Sequence, residues 1–105
     1  MKDKVRTRYL VVRIESKDEI SRSVLIKAIR KAARTMGENY YEQVGPWLTY
    51  FEKNYGVIKY NHKKKDEMLV LVERIELLDD TRATVPVITL GISGTINKAR
   101  KKYIP

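Results

Sequence analysis

The order in which the hydrophobic period switches between two and 3.6 constrains this chain more than any other feature. Residues 9–14, Tyr-Leu-Val-Val-Arg-Ile, are aromatic and β-branched and read as a strand buried on both faces at its centre. Over residues 18–36, Val24, Leu25, Ala28, Ile29, Ala32, Ala33 and Met36 cover one broad helical face, with Asp18 as the N-cap or a first-turn acid and Gly37 as the stop. A short second helix is expected over 38–44, closed by Gly45-Pro46. Residues 47–51 read as a strand with Trp47, Thr49 and Phe51 on one face and Leu48 and Tyr50 on the other. Lys53-Asn54 turns it into a second strand over 56–60. After a polar, basic turn at 61–65, a helix is expected over 64–78, its core stripe Met68, Leu71, Val72, Ile75 and Leu78. A last strand over 84–92 contains Pro86, which has no ladder N–H and so demands an edge or a bulge. A basic helix over 96–104, capped by Ser93 or Thr95, ends the pattern.

The resulting order, β-α-(short α)-β-β-α-β-α, contains two β-α-β halves. It predicts an α+β, ferredoxin-like (RNA-recognition-motif-like) sandwich, a four-stranded antiparallel sheet with helices packed on one face and an extra C-terminal helix. The usual strand order 4-1-3-2 puts the last strand at an edge, in agreement with Pro86. A length of 105 residues allows one domain, 1–105, with a basic N-terminal arm over about 1–8 that carries Lys2, Lys4, Arg6 and Arg8. The absence of cysteine excludes a disulfide framework, a thiol nucleophile and Cys-ligated zinc, and fits a reducing, cytoplasmic compartment. Apolar runs such as Tyr9–Val12 and Met68–Val72 are far short of the roughly 20 residues a membrane helix needs. Met1–Lys4 is followed by no apolar core, so neither a signal peptide nor a membrane role is expected.

Charge narrows the choice of partner. Lys and Arg number 22 against 13 Asp and Glu, a formal net charge of +9. That +9 is −5 over residues 66–80, where six acids face Arg74 alone, and +14 over the rest. Such asymmetry points to one polyanion-binding surface, nucleic acid above all, and one surface turned elsewhere. Two stripes can carry the contact. Lys27, Arg30, Lys31 and Arg34 lie along one side of the first helix with no acid between them. The segment Leu90-Gly91-Ile92-Ser93-Gly94-Thr95-Ile96 leads into Lys98, Arg100, Lys101 and Lys102. Small residues at a helix start let backbone N–H groups approach a phosphate, so Ser93, Gly94 and Thr95 join the candidate site. A simple strand-to-helix cap explains the same three residues. They match neither a Walker loop nor a nucleophile elbow. Leu69, Val70 and Leu77 fall outside the core stripe of the 64–78 helix and are candidates for a protein interface.

Catalysis by the chain itself is poorly supported. His62, the only histidine, sits in a lysine-rich turn with no flanking carboxylate and reads as a solvated loop residue. Glu73 and Glu76 read as surface, and no metal site is expected. An acylphosphatase-like activity requires a glycine-rich phosphate loop, whereas Glu15-Ser16-Lys17-Asp18 follows the first strand. The third-strand signature of the RNA-recognition motif is partly met by Lys53-Asn54-Tyr55-Gly56-Val57-Ile58-Lys59-Tyr60, with Val57 and Asn54 as departures. A free-standing protein that stacks single-stranded RNA on Tyr55 and Tyr60 is therefore the alternative reading.

Taken in order, Arg8-Tyr9-Leu10-Val11-Val12, Pro46-Trp47-Leu48, Gly56-Val57-Ile58-Lys59 and the Leu90–Ile96 segment with its basic helix make the chain resemble the archaeal and eukaryotic ribonuclease P protein component 2 family. Tyr60 departs from the pattern of relatives that carry cysteine there. The resemblance implies a non-catalytic subunit of a ribonucleoprotein whose RNA removes the 5′ leader of precursor tRNA. It implies two partners, ribonuclease P RNA and ribonuclease P protein component 3, with homodimerisation inside a two-plus-two assembly. It also implies that magnesium belongs to the catalytic RNA, leaving no cofactor on this chain.

Overall fold

The computed structural model describes residues 6–105, so Lys2 and Lys4 of the basic arm lie outside the described residues. The elements run β1 (Thr7–Ile14), α1 (Arg22–Met36), α2 (Tyr40–Val44), β2 (Trp47–Glu52), β3 (Tyr55–Asn61), a 3-10 turn (His62–Lys64), α3 (Lys65–Glu73), β4 (Val87–Ser93) and α4 (Ile96–Tyr103). The strands form one antiparallel sheet in the order β2-β3-β1-β4, the expected ferredoxin-like arrangement. β4 pairs only with β1 and starts directly after Pro86, so the missing N–H never enters the ladder. Pro86 contributes its carbonyl, which accepts from the Glu15 N–H at 3.0 Å.

β1 is the centre of the molecule. Leu10, Val11 and Val12 are 0% exposed. Leu10, Val12 and Ile14 point to one side and pack against Leu25, Ile29 and Ala33 of α1 and Met68, Leu71 and Val72 of α3. Val11 points to the other side, where it meets Val57 of β3 and Ala99 of α4. The continuous apolar run in the sequence is thus explained by helices on both faces of the sheet.

α1 begins later than Asp18. Ser21 is the N-cap, its Oγ accepting from the Val24 N–H at 3.3 Å. Ile20 and Leu25 flank this cap within one buried cluster, a hydrophobic staple that fixes how the chain enters the helix. Residues 18–20 are held instead by the tip of the β2–β3 hairpin. Lys53 and Asn54 have φ of 51° and 64°, the left-handed pair that a two-residue hairpin turn requires. The buried Asn54 side chain accepts from the Ile20 N–H at 2.8 Å and donates to the Asp18 carbonyl at 2.9 Å. Asp18 therefore supplies a carbonyl to a turn, not a carboxylate to a helix.

Two further expectations are corrected. β2 does not alternate cleanly. Leu48 pairs with Ile58 and Tyr50 with Val57, so Thr49 is a bulge. The extra residue brings Leu48 and Phe51 to the α1 side and turns Tyr50 to the α4 side, which separates residues that strict period two would have grouped. The helix expected over 64–78 ends at Glu73. Continued as a helix, the chain would point Leu77 away from the core. In extended form Ile75 and Leu77 both turn inward, and Leu77 accepts from the Val85 N–H at 2.9 Å. Leu77 is 1% exposed, so it is a core residue and is removed from the partner surface.

Candidate nucleic-acid interface

α4 lies across the sheet face opposite α1 and α3. Thr95 caps it, with Oγ1 accepting from the Lys98 N–H at 3.2 Å. Ala99 is buried on the sheet side, with Ile96 and Tyr103 packed beside it. Gly91 makes this seat possible, because a Cβ there would stand 2.2 Å from the Tyr103 ring. With that face docked, Lys98, Lys101 and Lys102 are exposed. Arg100 is turned differently, its guanidinium lying 4.3 Å over the Tyr50 ring. The Tyr50 hydroxyl donates to Glu52 at 3.0 Å, and that bond holds its pKa above the usual phenol value.

The Ser93-Gly94-Thr95 turn carries a cation that is distant in sequence. β1 and β4 pair with Tyr9 opposite Ser93. This brings Arg8 so close that a Cβ on Gly94 would stand 3.2 Å from its Nη1. Sequence position puts Arg8 in the basic arm and at the start of the first strand, and does not relate it to this turn. The 4-1 strand neighbourhood is the signal that relates it to this turn.

The second stripe, Lys27, Arg30, Lys31 and Arg34, is exposed along α1. Arg30 also lies 6.0 Å over the Tyr41 ring. Because α1 and α4 pack on opposite faces of the sheet, the two stripes are separate surfaces and do not merge into one site.

Sheet-face stacking of single-stranded RNA finds no room here. Val11 and Val57 on that face are fully buried beneath α4. Tyr60 points the other way and is 1% exposed within the main core, and Tyr55 is half-buried. Among the described residues the Tyr60 hydroxyl has no hydrogen-bond partner, and burial raises its pKa against an opposing pull from Arg8. On α3, Leu69 is half-buried and packs on the core, whereas Val70 is 39% exposed in a depression shared with Thr35, Met36 and Tyr40. His62 is half-buried in the 3-10 turn. Among the described residues, no three His, Asp or Glu side chains are grouped to hold a metal, and no helix is long and apolar enough to cross a membrane.

The chain is similar to ribonuclease P protein component 2 of Methanocaldococcus jannaschii, at 29% identity over 94% of this chain and 73% of the relative. It is also similar to the protein of that name from Methanosarcina barkeri, at 29% identity over 96% of this chain and 74% of the relative. Its fold matches a chain in the cryo-EM structure of yeast ribonuclease MRP with a TM-score of 0.70 at 17% identity, covering 90% of this chain and 79% of that one. A model of the Rpp14/Pop5 family matches residues 8–104. Nearly every described residue, from Arg8 in β1 through the basic α4, falls within that match, and the chain belongs to the Rpp14/Pop5 family.

Proposed function

We propose that this chain is a protein subunit of ribonuclease P that grips the phosphate backbone of the enzyme's RNA with α4 and the turn before it. The observation that carries the reading is the coincidence of family membership with exposed Lys98, Lys101 and Lys102 beside Arg8 at a capped helix start. Exposed lysines and an arginine suit phosphates, so in this reading the contact orients the RNA without reading sequence. Arg100 supports the surface through Tyr50, and α1 offers a rival stripe through Lys27, Arg30, Lys31 and Arg34. In this reading the RNA performs the cleavage of precursor tRNA, magnesium is held by the RNA, and the chain works in the cytoplasm. Ribonuclease P protein component 3 docks at Val70 on α3, with Leu69 behind it, and two copies of each protein assemble together.

Salt dependence tests the surface. Each phosphate contact contributes about 0.7–0.9 to the slope of log affinity against log salt. Replacing Lys98, Lys101 and Lys102 by Gln should lower the slope for ribonuclease P RNA by roughly 2–3. Neutralising the α1 stripe should lower it less. An unchanged slope in the α4 variant, with a flattened one in the α1 variant, moves the RNA to the other face.

A further inference from the structure

Between α1, α2 and the start of β2 lies a cleft lined by Arg22, Ile26, Arg30, Tyr41, Trp47 and Leu48. Trp47 is the most exposed of the large apolar side chains among the described residues, at 59%. A tryptophan left in water at an edge strand is costly, and nothing in the core requires it there. Arg22 is fixed at the wall by donating from Nη2 to the Leu48 carbonyl at 2.6 Å. Arg30 is held over Tyr41. Among the described residues no carboxylate lines the cleft; Glu38 and Glu42 belong to the adjoining depression that shares Arg30 and Tyr41.

We propose that this cleft captures one unpaired base of an RNA, stacked on the Trp47 indole, with Arg22 and Arg30 at the flanking phosphates. A base offers a flat π face on an anionic tether. The cleft offers a flat π face between two fixed cations, and Lys27, Lys31 and Arg34 extend the positive surface along the same helix. A protein occupant would need acidic groups at both arginines, which makes it the less favoured match. The proposal rests on the RNA-binding reading but concerns the face opposite α4, so it explains why α1 carries an acid-free stripe without displacing the α4 contact.

The chain has one tryptophan, so its emission reports on this cleft alone. The full-length protein is titrated with an RNA hairpin carrying one bulged adenosine and with the same hairpin fully paired. Trp47 emission should be quenched by the bulged hairpin and not by the paired one. Trp47→Leu should weaken binding of the bulged hairpin by about 5- to 150-fold and leave the paired one unchanged, the range for losing one stacked base. Trp47→Phe should retain most of the affinity. If both hairpins bind and the wild-type emission responds to neither, the cleft takes no base and the α4 reading stands alone. If neither binds, the RNA-binding reading falls with this site. Quenching by component 3 alone, with none by RNA, assigns the cleft to a protein and also overturns the proposal.

Discussion

At the scale of single residues, Tyr60 shows how a buried polar atom limits stability. Its ring fills the core, but its hydroxyl is desolvated with no partner among the described residues. An unsatisfied buried hydroxyl costs on the order of 1 kcal/mol or more. Tyr60→Phe should therefore raise unfolding stability by about 1 kcal/mol at neutral pH, measured by urea titration. The same burial raises the phenol pKa in the folded state. The folded chain then holds this proton more tightly than the unfolded chain. That contribution is complete below the unfolded value of about 10 and is lost as pH rises through the folded value. Between neutral pH and about pH 11, wild type should lose more stability than Tyr60→Phe. Equal losses would show that Tyr60 titrates as it does when unfolded.

Elements depend on single contacts between them, and α4 is the clearest example. It has eight residues, too few to persist alone in water, so its helicity depends on docking. Gly91→Ala inserts a Cβ into the space of the Tyr103 ring. Overpacking of this kind costs about 1–3 kcal/mol. The expected result is faster amide exchange in α4 with the β1–β3 ladder unchanged, and Gly91→Ala combined with Tyr103→Ala should recover part of the protection. Uniform loss of protection across the sheet would mean that α4 is integral to the fold rather than laid on it. The end of α3 gives a second contrast. Leu77→Asp buries a charge in the core and should unfold the chain, whereas Val70→Asp should leave it folded and weaken capture of component 3. A folded Leu77→Asp variant, by circular dichroism, would contradict the extended path of residues 75–78.

For the whole molecule, the sheet acts as a partition. α1 and α3 occupy one side and α4 the other, so the chain presents basic residues in two directions while its acids concentrate near α3 and the following loop. A subunit organised this way can touch RNA on two sides and leave α3 for protein. His62→Ala should leave precursor-tRNA cleavage by the reconstituted particle within a few-fold of wild type. A fall of about 10³-fold, the scale for loss of a general acid or base, would make His62 a participant.

Local pattern was enough for the order of elements, the edge position of β4 and the basic character of α1 and α4, because hydrophobic period, Pro86 and charge act within a few residues of themselves. The hairpin at Lys53-Asn54 was legible for the same reason, but the use of Asn54 to hold Ile20 and Asp18 was not. Thr49 became a bulge, and Leu77 left its helix, because partners on neighbouring segments, Val57 and Val85, fixed their register. Arg8 reached the Gly94 turn through β1–β4 pairing, and Trp47 gained Arg22 and Arg30 through the packing of α1 beside β2. Sequence alone determined the order of strands and helices and where charge accumulates. Tertiary structure decided which cations share a surface and which apolar residues are free, because both depend on contacts between segments whose spacing no local period encodes.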